Sequence, residues 1–112
     1  AVRVRILRGM IVVGAGRDDT PRKPRPFLVV QSDVFAEHAT VSVCPLTCVT
    51  SDTNLFRVPL EASPDTGLHD AAEIQVDKLD SLARDEIVKI VGTIPITTMT
   101  SVDDALRRWL EL

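Results

Sequence analysis

The chain has 112 residues, of which 45% are hydrophobic and only 4% aromatic, and its formal net charge is −3. That length suits one domain, expected over residues 1–112; with so few aromatics and no tyrosine, Val, Ile and Leu must fill its core, and the stacking platforms common in single-strand binders are mostly missing. No run approaches the ~20 apolar residues of a membrane span and the N-terminus lacks a signal-peptide pattern, so a cytoplasmic protein without membrane contact is expected.

Met10 to Val13 (MIVV), between Gly9 and Gly14, is the first short apolar run and predicts a strand. The following connection, GAGRDDTPRKP, is polar, charged and long for a hairpin, and loops of that length in compact domains are often functional. It ends at Arg25, set between Pro24 and Pro26, whose rings limit backbone freedom and so present the guanidinium with less loop entropy to lose. A second strand is predicted over Phe27 to Ser32 and, after a short turn from Asp33 to Ala39, a third over Thr40 to Leu46.

The third run alternates with period two. Val41, Val43 and Pro45 share one face, Ser42, Cys44 and Leu46 the other, and Thr47 joins the first face at the strand's end. If the second and third strands pair through the short turn, the start of one lies beside the end of the other, and Arg25 and Thr47 become neighbours.

Further strands are predicted over Leu55 to Leu60, Glu73 to Leu79 and Ile87 to Ile94, making six, mostly antiparallel because the connections are too short for crossover helices. Pro59 marks the fourth as an edge strand, since proline cannot donate to a ladder. The period then changes: Met99, Val102, Leu106 and Trp109 form the apolar stripe of an amphipathic helix, with Trp109 expected in the core. Pro95 and Thr97 supply its start, and Asp103 with Arg107 forms a favourable i,i+4 pair. A helix laid on a curled sheet gives an α+β, mainly β, or small-barrel architecture.

Charge is unevenly spread. Residues 1–25 hold seven Lys or Arg against two Asp, a net of +5, and the other 87 hold six bases against fourteen acids, a net of −8. Such a distribution can concentrate a polyanion at one place, although from composition alone a solvated loop with ordinary surface charges explains it more simply. Cys44 and Cys48 would sit ~13 Å apart on an extended strand at ~3.3 Å per residue, too far for a disulfide, and two thiols do not complete a metal site. No phosphate-binding Gly-rich loop, paired-His zinc pattern or Gly-x-Ser-x-Gly elbow occurs, so neither metal nor cofactor is expected. His38 and His69 read as solvated loop residues, whereas Asp77, placed in mid-strand, needs a partner or a cleft.

What remains is a guanidinium, whose planar fork matches phosphate oxygens, and a hydroxyl at the end of a neighbouring strand. Taken singly, Arg25 is a surface arginine and Thr47 a turn residue. Together they stand in a sequence that resembles the MazF/PemK family of toxin endoribonucleases nearly end to end. RGMIVV is similar to the opening strand, RPFLVVQSD to the Arg-Pro strand, VCPLT to the Pro-x-Thr strand end and QVDKL to the Val-Asp-Gln strand, with the helix ending WLEL last.

The resemblance implies a homodimer of SH3-like, CcdB-type antiparallel β-barrels with a C-terminal helix. It implies metal-independent cleavage of single-stranded RNA, with 2′-OH attack giving 2′,3′-cyclic phosphate and 5′-OH ends, and neutralisation by an antitoxin whose acidic, disordered segment occupies the same groove. Arg25 and Thr47 match the catalytic pair; Arg22, Lys23, Gln75, Asp77 and Lys78 are the expected substrate-binding residues. The chain departs from many members at Met10, Thr20 and Ala36, and Thr20 stands where they carry an acid, which leaves the general base as Asp18, Asp19, Asp77 or none of them. Two other readings stay open: a CcdB-like gyrase poison relying on Trp109, and an inactive barrel that binds a peptide.

Overall fold

Residues 5–15, 24–49 and 55–112 are described by the structure, a computed structural model. Seven strands occur among them: β1 (Met10–Gly14), β2 (Arg25–Val29), β3 (Thr40–Cys48), β4 (Arg57–Leu60), β5 (Ala72–Gln75), β6 (Asp80–Ala83) and β7 (Ile87–Thr93). The helix α1 (Ile96–Leu110) follows. Every pairing is antiparallel, and the order is β4-β5-β3-β2-β1-β7 with β6 also on β3. The sheet is curled like a barrel but not closed, because β4 and β7 end the path.

The long strand β3 organises the molecule. Its first half, Thr40 to Val43, pairs with β6 and its last residues, Leu46 to Cys48, pair with β5, so it belongs to both halves of the curled sheet. Its alternation feeds two separate cores. Cys44 and Leu46 join Ile11, Leu28, Ile74 and Val76 in a cluster against Val102 and Ala105 of α1, while Val41 and Val43 join Val12, Phe27, Val29 and Leu82 in a second one. A strand buried on both faces is held in register from two sides, since a one-residue slip would exchange its entire side-chain sets.

Six strands were expected and seven are present. The segment predicted as one strand from Glu73 to Leu79 is β5, a 3-10 turn over Val76–Lys78, and then β6. The turn carries the chain from the far half of β3 to its near half, while Val76, fully buried, keeps the apolar pattern running through the break. Asp77 therefore lies in a turn rather than in mid-strand. β2 begins earlier than predicted, at Arg25, and β3 runs on to Cys48. Pro59 does lie in the edge strand β4, opposite Glu73.

The helix occupies its predicted place, but two of its details differ. Trp109 is 47% exposed and meets Phe56 edge-on, ring centroids 5.2 Å apart, so it lids the core instead of filling it. Arg107 pairs with Asp104 at 3.1 Å rather than with Asp103, because Asp103 is taken by Arg8. Among the described residues, no helix is long and apolar enough to cross a membrane.

Candidate active site

Two strands bring the guanidinium and the hydroxyl together. Phe27 stands opposite Pro45, Leu28 opposite Cys44 and Val29 opposite Val43, so the start of β2, which carries Arg25, lies towards the end of β3, which carries Thr47. On the other side of β3, Thr47 stands opposite Glu73 of β5. The face of β3 that packs the second core through Val41 and Val43 thus runs out past Pro45 to a half-buried threonine. Arg25, at the first position of β2, is exposed.

Arg25 and Thr47 line one cleft of about 400 Å³, together with Pro26, Leu46, Cys48 and the segment Leu68 to Ala72. That segment is held in place by the residues just before it. The Thr66 side chain is buried (1% exposed), and its Oγ1 accepts the backbone N–H groups of Ser63 at 3.0 Å and Leu68 at 3.4 Å. Ser63 Oγ in turn accepts the N–H of Thr66 at 3.2 Å, and the Asp65 carbonyl accepts the N–H of Thr93 in β7 at 2.9 Å. Gly67 adopts φ +70°, a conformation that disfavours side chains, and packs tightly on Val91. His69 and Asp70, both exposed, follow this knot directly and line the cleft.

The other expected site residues are distributed differently. Arg22, Lys23, Asp18, Asp19 and Thr20 lie outside the described residues. Gln75 is half-buried at the end of β5, opposite Arg57, and Lys78 is exposed in the turn; neither lines the cleft. Asp77 is not on the cleft either. Its carboxylate faces the Arg57 guanidinium at 3.6 Å, with both side chains more than four-fifths buried. The charge of Asp77 also adds to the effect of burial on Cys44, whose thiol is pushed up from 9.0 to about 12, burial being the larger cause. Both cysteines are free; Cys44 is buried and Cys48 exposed.

A second cavity, of about 460 Å³, lies between β4 and α1 and is lined by Arg57, Thr97, Ser101, Asp104 and Arg108 among others. Its deepest cation, Arg57, is already neutralised by Asp77, and Asp104 adds negative charge. The smaller cleft instead offers a charge and a hydroxyl on adjoining strands, which suits a phosphodiester better. His69 is the cleft residue that strand patterning missed. Its place follows from β5 pairing with the end of β3, which forces the segment before β5 against Thr47 and Cys48.

A family model described as PemK-like, MazF-like toxin of type II toxin-antitoxin system matches residues 8–110. A protein of Mycolicibacterium smegmatis named probable endoribonuclease MazF is 36% identical over 99 residues, covering 88% of this chain and 91% of that one. Endoribonuclease MazF6 of Mycobacterium tuberculosis is 32% identical over 104 residues, covering 89% and 90%. A solved mycobacterial endoribonuclease in complex with its cognate antitoxin has a TM-score of 0.76 at 26% identity, with 96% of each chain covered. A MazE–MazF structure from Deinococcus radiodurans has a TM-score of 0.81 at 17% identity, covering 98% and 99%, a likeness of fold alone.

Proposed function

This chain belongs to the PemK-like, MazF-like family of type II toxin–antitoxin toxins and is an endoribonuclease toxin of that family, and we propose that it cuts single-stranded RNA, without a metal, at the cleft shared by Arg25 and Thr47. The observation that supports this reading is the cleft shared by the start of β2 and the end of β3, lined both by the permanently charged Arg25 and by the hydroxyl-bearing Thr47. Arg25 and Thr47 hold the scissile phosphate while the RNA's own 2′-OH attacks in line. The phosphorus passes through a crowded, more negative state, and donors aimed at its oxygens lower that barrier. The products are a 2′,3′-cyclic phosphate and a 5′-OH. Arg25 acts by charge and hydrogen bonding, because a guanidinium does not give up its proton near neutrality.

Arg22 and Lys23 steer the RNA backbone towards the lip, and Gln75 and Lys78, with the Asp77 turn, contact flanking nucleotides. The protein works in the cytoplasm as a homodimer of single domains spanning residues 1–112. It is held inactive by a cognate antitoxin whose acidic segment competes with RNA for the basic lip; the antitoxin complex of the mycobacterial endoribonuclease supports this assignment. A gyrase poison relying on a free C-terminal Trp fits less well, since Trp109 packs on Phe56.

The test is incubation of the protein with a long single-stranded RNA in EDTA, followed by mapping of the ends. Cleavage with cyclic-phosphate and 5′-OH ends by the wild type, lost in Arg25→Ala, is expected. No cleavage by the wild type, or equal cleavage by the variant, overturns the assignment.

A further inference from the structure

Attack by a 2′-OH requires something to take its proton, and neither Arg25 nor Thr47 can do so near neutral pH. Resting on the ribonuclease reading, the geometry points to His69 as the catalytic base of this cleft. Among the described residues, the titratable or charged ones that line this space are Arg25 from β2, Cys48 from β3, and His69 with Asp70 from the segment before β5. The arginine is permanently charged, a free thiol is largely protonated at neutral pH, and an aspartate is a weak base. Imidazole alone normally changes charge between pH 5 and 8 and is half-available as a base there. The nearby acids of β5 and its turn are placed otherwise: Glu73 is buried, and Asp77 faces Arg57.

Placement supports the chemistry. His69 is exposed, and it stands three residues after the buried Thr66 knot and two after Gly67, so its backbone is carried by an anchored stretch. It lines the same cleft as Arg25 and Thr47.

The step balances as follows. The neutral imidazole takes the 2′-OH proton as the O2′–P bond forms and the P–O5′ bond breaks. The departing 5′-oxygen takes a proton from water, and the imidazolium returns its own proton to the hydroxide left behind. No proton is gained or lost over the cycle.

The experiment uses the full chain, a long single-stranded RNA in EDTA and the variants His69→Ala, His69→Gln and Arg25→Ala, with kcat measured from pH 5 to pH 9. Wild-type kcat should rise with pH through a limb in the imidazole range. His69→Ala should lower kcat by roughly 10²- to 10⁴-fold, flatten that limb, regain rate with added imidazole, and leave RNA affinity and the thermal midpoint nearly unchanged. Wild-type rate and limb in His69→Ala, while Arg25→Ala is inactive, overturn the role of His69 and leave the ribonuclease reading standing. An inactive His69→Ala with neither a lost limb nor imidazole rescue also overturns it, since a merely structural role gives that pattern. A wild type that cleaves no RNA removes both readings together.

Discussion

Arg8 and Asp103 stand 95 residues apart in the chain and meet as an ion pair that ties the approach to β1 to the middle of α1. The same arginine donates from Nε to the Val30 carbonyl at 2.9 Å, and its backbone N–H donates to Asp33 Oδ1 at 2.7 Å. One residue thus links the helix, the end of β2 and the turn that follows, the first two through its side chain and the last through its backbone N–H. Both partners are only about a third exposed (32% and 29%), so solvent screens the pair less than a surface one. Arg8→Ala should cost roughly 2–3 kcal/mol, because it strands Asp103 and the Val30 carbonyl together. Asp103→Asn should cost about 1 kcal/mol, since the Val30 bond survives. Urea unfolding of both single variants and the double one gives the coupling; additive losses would show that the contact contributes nothing.

Thr47 separates a chemical role from a structural one. Thr47→Val keeps the β-branched shape at the end of β3 and removes the hydroxyl, so the thermal midpoint should hold while kcat falls by about 10²-fold. Thr47→Ser should keep most of the activity. Steady-state cleavage of a long RNA, read beside thermal melts, checks both.

Gly67 carries a different burden. At φ +70° a side chain is strained in any case, and a Cβ there would run into the Val91 carbonyl oxygen. Gly67→Ala should therefore lose roughly 2–4 kcal/mol in urea unfolding. It should also lower kcat beyond what the unfolded fraction explains, because the cleft wall two residues on moves with it. A variant with wild-type stability would show that the knot yields easily.

The two cysteines should behave oppositely. One thiol, Cys48, should react quickly with an aromatic disulfide reagent in the native protein, and the second only after denaturation. The Cys44 thiol sits at about 12 in the folded chain against 9.0 for an ordinary thiol, so folded and unfolded chains hold its proton alike below pH 9. Above that the unfolded chain releases the proton first, and stability should fall by roughly 3–4 kcal/mol as pH rises towards 12. Cys44→Ala should be flatter across that window, as measured by denaturant unfolding at several pH values.

Much of this was legible before any coordinates, for identifiable reasons. Period-two alternation placed β3 and both of its faces, Pro59 marked an edge, and the 3.6-residue stripe placed α1, because each is a local signal written in neighbouring residues. The break between β5 and β6 was not legible, since Val76 continues the alternation that the turn interrupts. Nor were the partners of Asp103 and Asp77, which come from residues 95 and 20 positions away and depend on how the helix and the edge strand settle. Pairing of β2 with β3 through a short turn made the neighbourhood of Arg25 and Thr47 readable. Bringing Leu68 to Ala72 to the same cleft needed the long-range pairing of β5 with β3, so His69 reads from sequence only as a solvated loop residue.

The double burial of β3 has a further meaning for how this chain can change over generations. Val43 and Cys44 are gripped by different cores, and Thr47 is counted off from both of them. Inserting or deleting one residue between Val43 and Thr47 would swap hydrophobic for polar partners on one side or withdraw the hydroxyl from Arg25. The length of a single strand segment thus acts as the ruler that every descendant must keep.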